Sequence, residues 1–242
     1  MKCEEIIINR KRGVCLTAYI QKTGGEFSHI EKRPAIIILP GGGYNFCSER
    51  EADPIAFVYM KAGFQTFILR YSVNEHKAWR NPLDDYEAAY KLICEKSSEW
   101  AVDTKKIAVI GFSAGGHLAG CAATVSECKP NAAILGYPVL NRATADKYSE
   151  QAPDVVDCVD EKTCPCFIFA SRNDNTVPIE NTTQFISALG SCGVAYECHI
   201  YSDAPHGFSV ADETVNPLNL DMCSRASHWT SDSVSWLKEV LG

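Results

Sequence analysis

Short apolar runs alternate with longer amphipathic stretches along almost the whole chain, a rhythm compatible with few folds. The runs cover residues 5–9, 14–21, 35–39, 66–71, 107–112, 132–137, 166–170 and 195–201. From the third onward most are near-continuously apolar, as a strand must be when both faces of a parallel sheet are covered. The first two are more polar and lie close together, so they are expected as an antiparallel edge hairpin. Helical patterns fill the intervals. Ser48-Glu49-Arg50-Glu51 reads as a capping box opening a helix to about Lys61, with Gly63 as its stop. Residues 83–96 carry Tyr86, Ala89, Tyr90 and Ile93 at helical spacing, and 117–125, 179–189 and 227–241 complete the set. The alternation predicts an α/β fold, a three-layer sandwich around a mostly parallel sheet of about eight strands, as one domain over residues 1–242. Ligands are then expected at the C-terminal ends of the strands, in the turns after Leu39, Phe112, Ala170 and Tyr201.

Composition removes other classes. With 46% hydrophobic and 22% charged side chains in 242 residues, there is enough apolar surface to offset chain entropy. A net charge of −7 is repelled by phosphate, so neither nucleic acid nor an anionic membrane is an expected partner. No run approaches the ~18 apolar residues of a membrane span. The twelve cysteines include no Cys-x-x-Cys, the tightest pair being Cys164-Pro165-Cys166, and no apolar leader follows Met1-Lys2-Cys3-Glu4-Glu5. Reduced thiols in a cytoplasmic protein are therefore expected, with no metal site. Oligomeric state is left open.

The chemistry is concentrated in the turns. Gly111-Phe112-Ser113-Ala114-Gly115 follows an apolar strand and precedes a helix, the context of a G-x-S-x-G nucleophile elbow. A turn this tight needs small residues on both sides of the serine. Neither this string nor Gly41-Gly42-Gly43 fits G-x-G-x-x-G or ends in Gly-Lys-Ser/Thr, so nucleotide-binding loops are excluded. Pro40-Gly41-Gly42-Gly43-Tyr44, paired with Gly111-Phe112-Ser113-Ala114-Gly115-Gly116-His117-Leu118, resembles the small acetyl-esterase and acetyl-xylan-esterase-like members of the α/β-hydrolase superfamily. The resemblance runs from about Arg33 to the C-terminus and implies the α/β-hydrolase fold. It also implies an oxyanion hole from the N–H groups of Gly42, Gly43 and Ala114. Glycines suit that task because backbone donors must closely approach the oxygen that becomes charged. Pro40 stands where many esterases and lipases carry His, which points away from the larger lipase branch.

A nucleophile of this kind needs an acid and a base, in the chain order Ser, Asp or Glu, His. Asp174, in Asp174-Asn175-Thr176-Val177-Pro178, and His206, in His206-Gly207-Phe208, both sit past strand ends and resemble the family's acid and base strings. His206 then takes the Ser113 proton, and Asp174 orients the imidazole. Asp203 is the rival acid, though it is very local to His206. Among the other histidines, His117 is expected to pack under the elbow. His29 lies in a polar loop, His76 precedes the serine, His199 is mid-strand and His228 opens the last helix.

Substrate signals are thinner. Residues 141–163, with six acids and three bases, are expected as a short cap, and 208–226 as a second polar segment. Neither offers a broad apolar lid, so an open site with a small acyl pocket is expected. Tyr44 and Trp79 are candidate substrate contacts, with Tyr137 and Phe208 as further wall candidates, and Trp79 is suited to stack on a sugar ring. The expected function is a cofactor-free serine carboxylesterase for short acyl esters, acetyl above all, with acetylated sugars or xylooligosaccharides implied by the resemblance. A peptidase or formamidase of the same fold, or an inactive ligand-binding homologue, stays open. Cys47, beside the glycine turn, is expected to be passive.

Overall fold

A computed structural model describes residues 1–149, 151–217 and 221–242. Strands β1 (Lys2–Asn9) and β2 (Val14–Ile20) form the expected antiparallel hairpin. β2 also runs antiparallel to β4 (Gln65–Arg70). Beyond it, β3 (Arg33–Leu39), β5 (Val102–Phe112), β6 (Ala132–Gly136), β7 (Cys166–Ser171) and β8 (Tyr196–Tyr201) pair in parallel. The order is β1-β2-β4-β3-β5-β6-β7-β8, so only β2 runs against the rest of this eight-stranded sheet.

The continuous apolar strands are explained by two cores, one on each face. Along β3, Ile36 and Ile38 join Ile55 and Tyr59 of helix α1 (Asp53–Lys61) and Trp229 and Leu237 of α6 (Trp229–Leu241). Ile37 and Leu39 point the other way. They join Leu83 and Tyr86 of α2 (Asn81–Glu95), Leu118 and Ala122 of α3 (Ala114–Thr124) and Phe185 of α5 (Glu180–Ser191). Every side chain of α3 is buried, which suits a helix made mostly of Ala and Gly and pressed against the middle of the sheet.

Three local expectations change. The capping box at residues 48–51 does not form. Ser48 makes no side-chain cap, Glu49–Glu51 is a single 3₁₀ turn, and α1 begins at Asp53 with Pro54 in its first turn. Glu51 instead turns inward to two buried donors, described below. Helix α3 begins at Ala114 rather than His117, directly on the serine. In the 208–226 segment, expected to be polar, Phe208, Ser209 and Val210 are core residues. Residues 218–220 of that segment lie outside the described residues, as does Glu150 of the 141–163 segment.

The 141–163 segment starts with a short helix, α4 (Arg142–Ala145), capped by the Asn141 side chain. Asn181 of α5 anchors its entry by accepting the N–H groups of Leu140 and Asn141 at 2.8 and 3.0 Å. At the far side of the sheet, Trp229 stacks on Phe169 with ring centroids 4.2 Å apart and donates its indole N–H to the Ser209 carbonyl at 2.8 Å. It thereby fixes α6 against β7 and against the loop that follows β8. Trp229→Ala should destabilise the fold by about 3–5 kcal/mol, read from urea unfolding, because it opens a large cavity and orphans that carbonyl.

Candidate active site

Ser113 follows β5 and caps α3 at φ 53°, ψ −115°, a conformation that an L-residue holds only under constraint. The constraint is close packing at its flank. A Cβ on Gly115 would sit 2.1 Å from the Leu39 carbonyl oxygen and 2.5 Å from that of Pro40. The elbow is thus pressed directly onto the turn that follows β3.

Two loops complete a hydrogen-bonded chain. Ser113 Oγ lies 2.9 Å from His206 Nε2, and His206 Nδ1 lies 2.7 Å from Asp174 Oδ2. A carboxylate only accepts, so Nδ1 carries the proton and Nε2 is free to accept from the serine hydroxyl. The other Asp174 oxygen accepts the N–H groups of Thr176 and Val177 at 2.8 and 2.9 Å. That turn explains why an Asp followed by a short polar string presents its carboxylate rigidly. The Asp174 side chain is 2% exposed and that of His206 18%, so the far end of the chain is dry and the near end opens to solvent.

The glycine turn faces the same point. Gly42 holds φ +133°, and a Cβ there would meet the Phe46 carbonyl oxygen at 2.1 Å, so only glycine fits. Gly41 donates its N–H to Glu51. Among the described residues the N–H groups of Gly42 and Gly43 find no protein acceptor, and Ala114, first in α3, has no helical partner four residues back.

Other candidates are distributed differently. Tyr44, expected on the pocket wall, is buried under the turn, its hydroxyl 2.9 Å from His117 Nδ1 and its ring against Tyr71. Tyr137 and Phe208 are likewise buried, packed on each other with centroids 4.9 Å apart. Trp79 is half-buried, edge-on to His117. With Tyr148 it lines a groove of about 440 Å³ that also carries Glu75, Lys77, Ser149 and Gln151. Tyr148 reaches the glycine turn, where a Cβ on Gly43 would lie 3.2 Å from its ring. No sequence signal marked Tyr148, because its contact with Gly43 joins residues 105 positions apart.

Asp203 is held by the Asn173 side chain and does not meet His206. His199 pairs with Glu197 on β8. His117 is buried, accepts from Tyr44 and donates from Nε2 to the Pro153 carbonyl at 3.0 Å, tying the elbow helix to the 141–163 segment. Burial drives its pKa down to about 4, so it is neutral. Burial pushes the Cys47 thiol up to about 12, leaving a poor nucleophile. All twelve cysteines are free thiols, and the described residues hold no cluster of three or more metal-ligating side chains. None of the described helices is long and apolar enough to cross a membrane.

Residues 27–134 match the BD-FAE family model, and residues 143–242 match that of the prolyl oligopeptidase family. Among solved structures, MGS-M1, an α/β hydrolase enzyme from a Medee basin deep-sea metagenome library, is 40% identical, with a TM-score of 0.93 over 100% of this chain and 98% of that one. The carboxylesterase Cest-2923 from Lactobacillus plantarum WCFS1 is 26% identical, with a TM-score of 0.91 over 99% of this chain and 98% of that one. An acetylxylan esterase of Xylanibacter ruminicola is 28% identical over 72% of this chain and 41% of its own length. The chain spans less than half the length of the first curated relatives it matches. Fold, strand order and likeness together make one conclusion plain: the chain belongs to the α/β-hydrolase superfamily. Within it, the relatives are enzymes of the carboxylesterase and acetylxylan-esterase type.

His117 carries a pH prediction. Its folded pKa lies below the ordinary 6.5, so below pH 6.5 the unfolded chain binds more protons and stability falls as pH drops toward 4. The loss from this one residue should reach about 3 kcal/mol at pH 4. Urea midpoints at pH 7 and pH 4 should show a smaller loss in His117→Gln than in the wild type.

Proposed function

We propose that the chain is a serine carboxylesterase for short acyl esters, acetyl above all, in which Ser113, His206 and Asp174 act as nucleophile, base and orienting acid. The observation that carries this reading is the continuous chain of 2.9 and 2.7 Å contacts among them, at strand ends beside a glycine turn. His206 Nε2 takes the Ser113 proton as Oγ attacks the ester carbonyl. The developing oxyanion is met by the N–H groups of Gly42, Gly43 and Ala114, each such donor contributing ~3 kcal/mol of transition-state stabilisation. His206 then returns its proton to the leaving alcohol, and water activated by the same imidazole releases the acid from the acyl-enzyme.

The alcohol portion is read as a sugar. The groove beside Tyr148 combines two aromatic rings with charged and amide side chains, a lining that suits a ring with apolar faces and hydroxyl edges. Xylooligosaccharide acetates are the preferred substrates, in keeping with the acetylxylan esterase among the relatives. Residues 141–163 act as a short cap on a single catalytic domain. Amide hydrolysis by a peptidase or formamidase is the second reading, favoured by the prolyl oligopeptidase match over residues 143–242.

Purified protein should hydrolyse p-nitrophenyl acetate and butyrate, with rates falling for longer chains and no turnover of aminoacyl-anilides. A fluorophosphonate should label Ser113, and Ser113→Ala should lose activity by at least about a thousandfold. An unlabelled Ser113 in folded protein sinks the mechanism, and anilide turnover above ester turnover favours the second reading. Trp79→Ala should raise KM for acetylated xylooligosaccharides by roughly tenfold, about 1.4 kcal/mol, while p-nitrophenyl acetate kinetics stay within about twofold. Equal effects on both substrates would place the sugar elsewhere.

A further inference from the structure

Three turns of the site meet at one buried carboxylate that the mechanism above does not use. Glu51 is 3% exposed, and its Oε2 accepts the Gly41 N–H at 2.7 Å. Its Oε1 accepts the Tyr137 hydroxyl at 2.6 Å. That hydroxyl accepts the N–H of Ser209 at 3.1 Å, and the Ser209 side chain returns to the Arg50 carbonyl. Gly41 immediately precedes the oxyanion donors, Tyr137 follows β6, and Ser209 lies three residues past His206. Tyr137 also sets its ring edge-on to the His206 imidazole, with centroids 5.1 Å apart.

The arrangement is costly as mere packing. Burial raises the Glu51 pKa, and the Tyr137 hydroxyl, the Gly41 N–H and the charges of His206 and Arg50 oppose that rise. Burying a carboxylate costs desolvation that an apolar side chain of similar volume would not incur. Both of its protein partners are donors, so the arrangement suits the anion. An anion there lies within electrostatic reach of His206. The charged and titratable groups around the imidazole are thus Asp174 from the β7–α5 loop, Glu51 and Arg50 from the 3₁₀ turn, and Tyr137 from the β6 loop.

We propose that Glu51 is a positioning residue for the reaction. Its carboxylate aims the glycine turn at the oxyanion and holds Tyr137 against His206, and its charge favours the imidazolium formed as Ser113 attacks. This inference rests on the ester-hydrolase reading. It is separable from that reading because the rate at which Ser113 attacks a fluorophosphonate, displacing fluoride, needs the same turn and the same base but no natural substrate.

Glu51→Gln keeps the shape and removes the charge. In folded protein, checked by near-ultraviolet circular dichroism and thermal midpoint, kcat on p-nitrophenyl acetate should fall about 10- to 100-fold with KM within about threefold. The fluorophosphonate rate constant should fall in parallel. Tyr137→Phe, which removes one hydroxyl and keeps the ring, should show a smaller fall in the same two quantities. If Glu51→Gln does not fold, Tyr137→Phe decides the matter on those readouts. Folded variants with kcat and probe rate within twofold of wild type, or with KM alone raised, overturn the proposal. A wild type that reacts with the probe but hydrolyses no acyl ester overturns the esterase reading instead, and Glu51 is then judged by the probe rate alone.

Discussion

The backbone of Ser113 is the constraint on which the site depends. An L-residue at φ 53° is held there only by its surroundings, and here the surroundings are close contacts between main chains. Gly115 lies against the Leu39 and Pro40 carbonyls, so the elbow after β5 and the turn after β3 cannot move independently. The Ser113 N–H donates to Gly136 and its carbonyl accepts from Val139, which pins it to the turn after β6 as well. The strain is offset by the complete burial of α3, whose small side chains let it lie flat on the sheet.

Around that point, three buried polar side chains stand in hydrogen-bonded chains. Asp174 accepts three donors, from Thr176, Val177 and His206. His117 bridges Tyr44 and Pro153, and Glu51 bridges Gly41 and Tyr137. Each chain crosses from one strand-end loop to another, so loops that are separately mobile in most proteins are here cross-braced. The cost is that a partner cannot be removed singly without orphaning a buried donor or acceptor.

The opening of the site is built differently. His206 is partly exposed, and the half-buried Trp79 and Tyr148 border a groove of mixed polarity that reaches the glycine turn through Tyr148. The buried, cross-braced groups below thus contrast with an amphipathic rim above. Tyr148 links the two levels, because it packs on Gly43 while lining the groove.

Much of this was legible in the chain itself. Apolar runs too continuous for one-sided strands predicted a sheet covered on both faces, and the glycines around Ser113 marked a turn no larger side chain fits. Asp174 and His206 could be singled out as candidates because each stands past a strand end in a short string that resembles the family's. What sequence could not reveal depends on contacts between distant turns. Ser48-Glu49-Arg50-Glu51 has the local pattern of a capping box, yet two buried donors, one from Gly41 and one from Tyr137, compete successfully for the Glu51 carboxylate. Tyr44 is an aromatic beside the glycine turn in either setting, and only the neighbouring His117 and Tyr71 decide that it lies beneath that turn. Local spacing determines most of the strands and the tight turn at Ser113, because those follow from backbone sterics within a few residues. Which carboxylate is buried, which aromatic is wetted and which loops brace one another is decided by the packed fold, where residues far apart in the chain come to share one dry space.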